Sequence, residues 1–91
     1  MSAPDHNAPR YFRVCGMAAA LRMWEEPFKE AYRSGEVAPP DLVENGEPLW
    51  SFYTFSAEVE KSIPADVHGT GRIVWVLTSL LLAEHAEGLH T

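Results

Sequence analysis

"GRIVWVLTSLLLAEHAEG", residues 71–88, is the stretch on which the fold turns. Eleven residues separate Arg72 from Glu84, and only Thr78 and Ser79 among them are not fully apolar. As a helix they cover roughly 16 Å, against the ~30 Å of a bilayer core, so the stretch is too short to span a membrane. It must find its apolar cover in water. On a helical wheel Ile73, Leu77 and Leu80 form one row that runs into Glu84. Trp75, Leu82 and Ala86 form a second row almost opposite. Val74 and Leu81 fill one flank, and Val76 and Ala83 fill the other. No polar face exists along this stretch.

The rest of the chain has little with which to enclose such a helix. Its 91 residues fit one small domain, spanning 10–91 behind a tail of residues 1–9 that holds no run of large apolar side chains. Hydrophobic residues at 46% and charged residues at 22% are ordinary for a folded globular protein. The formal charge of −6 excludes a phosphate-binding face, which needs clustered Lys and Arg. Lysine occurs only as Lys29 and Lys61, and the arginines are scattered. No direct contact with nucleic acid is therefore expected. The single Cys15 has no internal disulfide partner, and "MSAPDHNAPR" has no apolar core behind a basic start, so a reducing cytoplasm is expected.

"MAAALRMWEEPFKEAYRSG" carries the cleanest helical pattern. Met17, Leu21, Trp24, Phe28, Ala31 and Tyr32 fall on one stripe, and Arg22, Glu26, Lys29, Glu30 and Arg33 gather opposite. Ser34-Gly35 supplies a C-terminal stop. Pro27 interrupts this helix. Because the stripe continues in phase across it, a kink is expected rather than two helices. "YFRVCG" is short enough to be a strand or a helix entry.

Pro39-Pro40 and Asn45-Gly46 mark a connector. After it, "LWSFYTFSAEVEKSI" admits two readings. Asn-Gly between "DLVE" and "EPLWSFYTF" is a hairpin signal. Phe52, Phe55, Val59 and Ile63 follow helical spacing, and helix is the reading chosen for residues 49–62. Ile63-Pro64 ends that element, and the final helix starts between Asp66 and Thr70. The expected fold class is mainly α: a small bundle of three to four helices, with room for one short strand pair.

No constellation carries catalytic chemistry, and no enzyme activity or cofactor is expected. His68, Gly69, Thr70, Gly71 and Arg72 precede a helix, where backbone N–H groups and a guanidinium hold anions in other proteins. They lack the ending of a P-loop and read better as a turn. Glu84, His85, Glu87 and His90 are metal-ligand types, but Gly88 ends the helix among them, and solvated polar residues are the better reading. Cys15 reads as a small buried apolar residue. The paired carboxylates Glu25-Glu26 and Glu58/Glu60 read as solvated faces.

What remains is the last helix. An apolar strip of several hundred Å² left uncovered on a small protein marks a partner site. The row of Trp75, Leu82 and Ala86, free of charge, is expected to pack inward. The expected protein interface comprises Ile73, Val76, Leu77, Leu80, Leu81 and Glu84, an apolar centre with a charged margin. It would serve a homodimer or a foreign protein. The competing reading is a ligand-binding or enzymatic domain in which Trp24, Trp50, Tyr53 and Trp75 line a pocket.

"MWEEPFKEAY" and "GRIVWVLTSLLLAEHAEG", in a small acidic chain that reads as helical, resemble the bacterial antiactivators of quorum sensing. That resemblance implies binding to a LuxR-type transcription factor and inhibition by occluding an apolar surface the receptor needs for dimerisation.

Overall fold

The computed structural model describes residues 10–89, so the expected tail and His90 lie outside the described residues. The order of elements is β1 (Tyr11–Phe12), α1 (Val14–Ala20), α2 (Glu25–Ser34), β2 (Leu42–Glu44), β3 (Glu47–Ser51), α3 (Phe52–Ser62) and α4 (Thr70–Leu89). The described residues thus form four helices and a small antiparallel sheet of strand order β1-β3-β2. The fold is mixed α and β, not a pure helical bundle.

The expected kinked helix is in fact two helices. α1 closes on itself before Pro27 is reached: Arg22 N–H donates to Ala19 O at 3.1 Å and Met23 N–H to Ala18 O at 2.9 Å. This is a Schellman closure, with Arg22 in the left-handed position at φ 55°. The turn breaks the phase of the stripe and swings Trp24 outward, 83% exposed. Pro27 then sits in the first turn of α2, where its missing N–H costs nothing. α2 ends as expected at Gly35, left-handed at φ 91°.

Residues 49–62 divide between strand and helix. Asn45 at φ 53° and Gly46 at φ 80° form a two-residue turn of type I′, the turn whose twist matches a hairpin. It pairs Glu44 with Glu47, Val43 with Pro48 and Leu42 with Leu49. Pro48 is tolerated because β1 reaches only Trp50 and Ser51, leaving β3 with one neighbour at the proline. At Ser51 the chain turns into α3, with the Ser51 hydroxyl capping Thr54 N–H. Asp41 fixes this corner by accepting from Ser51 N–H at 2.8 Å and the Thr54 hydroxyl at 3.0 Å. Helical spacing holds from Phe52 onward, and the expected helix fails at Leu49, Trp50 and Ser51, which the hairpin takes into β3.

The core lies between sheet and helices. Phe12 stacks on Phe55 at 4.2 Å between centroids, and Trp50 meets Phe28 and Tyr32 edge-on at 5.2 and 5.1 Å. Met17, Ala18, Ala20, Ala31, Val37, Val59 and Ala83 complete it. The Trp50 indole N–H donates to Ala38 O at 2.8 Å, so the ring is buried with its polar atom satisfied.

Candidate functional site: the outer face of α4

α4 begins at Thr70, within the expected bounds, and lies along α1. The contact is made by small side chains. Ser79 and Ala83 are fully buried, and Ala86 lies near Cys15, Ala18 and Ala19 of α1. Small residues on both helices let the backbones approach closely, and the bulky residues of α4 are thereby turned away. Trp75, Val76 and Leu80 flank the buried row and lean on the core. The helix presents the remaining large residues outward: Ile73 is 61%, Leu77 54% and Leu81 66% exposed, with Val74 beside them and Leu82 at the edge.

This arrangement corrects the sequence reading in part. Of the six interface residues expected, Ile73, Leu77 and Leu81 are exposed, and so is Glu84. Val76 and Leu80 are half-buried against the core, and Leu82, expected inside, is on the outer side. Val74, outside the expected set, belongs to the outer face as well. The missed signal is the row Ser79, Ala83 and Ala86 matched to the "GMAAA" of α1. A wheel sorted by hydrophobicity alone sends the largest residues inward, whereas here close approach selects the smallest.

Two polar contacts tie α4 to α1 in this rotation. Glu87 reaches the start of α1, where its carboxylate accepts from Arg13 N–H at 2.7 Å and from Arg13 Nε at 2.8 Å. Arg13 also donates to Glu87 O at 3.0 Å. The hydrogen bond to Glu87 holds the Arg13 guanidinium above its ordinary pKa, against the opposing effect of burial. A carboxylate at this position also suits the positive end of the helix dipole. Gly16 makes room for it, since a Cβ there would overlap the Glu87 carboxylate. At the other end of α1, Arg22 lays its guanidinium 4.1 Å from the centre of the Trp75 ring and donates to Ala20 O and Ser79 Oγ. These contacts offset the roughly 1–2 kcal/mol of a left-handed non-glycine residue. Burial lowers the Arg22 pKa and raises that of Cys15, whose thiol is further disfavoured from ionising by Glu87.

The other candidates are accounted for by structure. Glu84 pairs with Arg10 and Glu87 with Arg13, and among the described residues no three His, Cys, Asp or Glu side chains gather as a metal site. In the first turn of α4, Gly71 N–H and Arg72 N–H donate to His68 O and Gly69 O, so they do not point at an anion. Glu58, read as solvated, is buried and bonded to Lys61 at 3.1 Å. Trp24, Trp50, Tyr53 and Trp75 do not line a common pocket: Trp50 is in the core, Trp75 lies under Arg22, and Trp24 and Tyr53 are 83% and 85% exposed.

A shallow groove of about 300 Å³ adjoins the outer face between α3 and α4, lined by Glu60, Ile63, Arg72, Ile73, Val76 and Leu77. Ridge and groove together form one apolar surface. No helix among the described residues is long and apolar enough to cross a membrane. Compared with protein-family models, curated proteins and solved structures, the chain matches none.

Proposed function

We propose that the chain is a regulatory protein that acts by binding another protein through the outer face of α4. The observation that supports this is the uncovered apolar row of Ile73, Val74, Leu77 and Leu81. With Leu82 these side chains leave roughly 500 Å² of apolar surface, at the upper end of what a monomer exposes without using it. Occlusion is the mechanism such a surface supports: a helix face occupies the apolar patch its target uses for assembly. A transcription factor is the target that the resemblance to quorum-sensing antiactivators suggests. The same face serves self-association when no target is present.

The test is capture from cells of the source organism, with the parent chain and Leu77→Glu compared. The parent retains a specific protein, Leu77→Glu releases it with its helix content intact, and added parent chain lowers the target's own dimer fraction. If Leu77→Glu retains the same protein as the parent, the face is not the docking surface and the reading fails.

A further inference from the structure

Ile73, Leu77 and Leu81 stand four residues apart on one ridge of α4, with Leu77 at its midpoint and Val74 alongside. No charged residue occurs from Ile73 to Ala83. The ends of the ridge differ: one carries Thr70 in the first turn of the helix, the other Glu84 and His85. From this pattern we infer that α4 pairs with α4 of a second copy, antiparallel, about a two-fold axis beside Leu77. The inference rests on the outer face of α4 being a docking surface, and it names the occupant.

Three features favour a second copy in this orientation. The ridge is self-complementary: the two-fold sets Leu77 against the partner's Leu77 and places Ile73 against the partner's Leu81 twice over, as an isologous interface requires. Charge fits as well. Antiparallel pairing keeps Glu84, which Arg10 holds in its own chain, away from the partner's Glu84 and opposes the two helix dipoles. Parallel pairing would set Glu84 against Glu84 and align the dipoles. Finally, the area suits a concentration-dependent pair. The roughly 500 Å² of apolar surface, with Thr70, Thr78, Glu84 and His85 as its rim, approaches the ~800 Å² per partner of a stable interface. Ridges four residues apart on both helices cross by interdigitation. A target that takes the same face must displace the second copy, so self-pairing would set the concentration at which the chain acts.

Sizing by light scattering across micromolar concentrations reads the assembly, and cysteine cross-linking reads its orientation. The expected mass is twice the 10.2 kDa of the chain. In a Cys15→Ser background, a mixture of Ile73→Cys and Leu81→Cys chains forms a disulfide-linked dimer on mild oxidation, and neither does so alone. Leu77→Glu raises the midpoint of dimerisation at least about tenfold, the effect of an interface hot spot. A mass of 10.2 kDa at every concentration overturns the inference, as does cross-linking by Leu81→Cys alone or a dimer indifferent to Leu77→Glu. A monomeric parent that still loses its target on Leu77→Glu overturns only the self-pairing. A dimer that captures no target leaves the pairing standing and overturns the regulatory reading.

Discussion

Gly16 and Glu87 are one device seen from two elements. The absence of a side chain at Gly16 admits the Glu87 carboxylate, which in turn holds Arg13 and the first turn of α1. Two effects therefore oppose each other in Gly16→Ala. Alanine gains up to about 1 kcal/mol of helix propensity, while the displaced carboxylate loses charge-assisted bonds of about 1.5–3 kcal/mol. Thermal melts should show Gly16→Ala destabilising the parent chain and stabilising a Glu87→Ala chain; the same sign in both backgrounds would separate the two residues. Asp41 gives a second residue-scale test. Burial would raise its carboxyl, but the bonds from Ser51 and Thr54 outweigh it, and the group titrates below its ordinary 3.8. A depressed pKa contributes stability that is present above the unfolded value and lost as pH falls through the folded one. The parent should therefore lose melting temperature more steeply than Asp41→Asn as pH drops below about 4. Parallel curves for the two chains would show that Asp41 does not anchor the corner.

At the scale of the element, α4 shows how a helix without a polar side is oriented. Its rotation follows the fit of Ser79 and Ala83 to α1, and the leucines take what positions remain. Leu80 leans on the core and Leu82 sits at the outer edge. A carboxylate at position 80 must leave water, at a cost of several kcal/mol, whereas one at position 82 keeps its hydration. Leu80→Glu should thus lower the melting temperature by 10 °C or more, on the order of 4–8 °C for each kcal/mol in a domain of this size. Leu82→Glu should leave the fold within a few degrees of the parent. Circular dichroism melts at low protein concentration decide between them, and the reverse order would mean that α4 is rotated about its axis. α1 and α2 teach a related lesson. Their apolar residues keep a helical phase in sequence, yet the Schellman turn at Arg22 divides them, its left-handed residue held by the contacts of Arg22 with Trp75, Ser79 and Ala20.

The whole molecule carries a formal charge of −6, and several of its arginines are engaged internally. Arg10 is bound to Glu84, Arg13 to Glu87 and Arg22 over Trp75. Phosphate neutralisation supplies most non-specific affinity for DNA, and a sequence with two lysines and scattered arginines offers little with which to supply it. The chain alone should leave duplex DNA unshifted in a gel at physiological salt. A retarded band would place its action on DNA directly and remove the need for a protein target. Among the described residues α1 covers one side of α4 and α3 touches a second, while Ile73, Leu77 and Leu81 stay exposed on the third.

By itself the sequence determined the local features: the last helix and its start, the stop at Gly35, the helical spacing from Phe52, and an excess of apolar surface on the final helix. Each depends on residues close in the chain, through capping, turn chemistry or periodicity. It also contained the Asn45-Gly46 hairpin signal, although helical spacing in the following residues competed with it. The division of the first helix at Arg22, the pairing of β1 with β3 and the inward face of α4 were decided only in three dimensions. Those choices depend on distant partners, Trp75 for Arg22, Trp50 for Phe12 and the alanines of α1 for Ser79 and Ala83. Hydrophobicity shows how much surface must be buried, but close packing between distant small residues decides which surface that is.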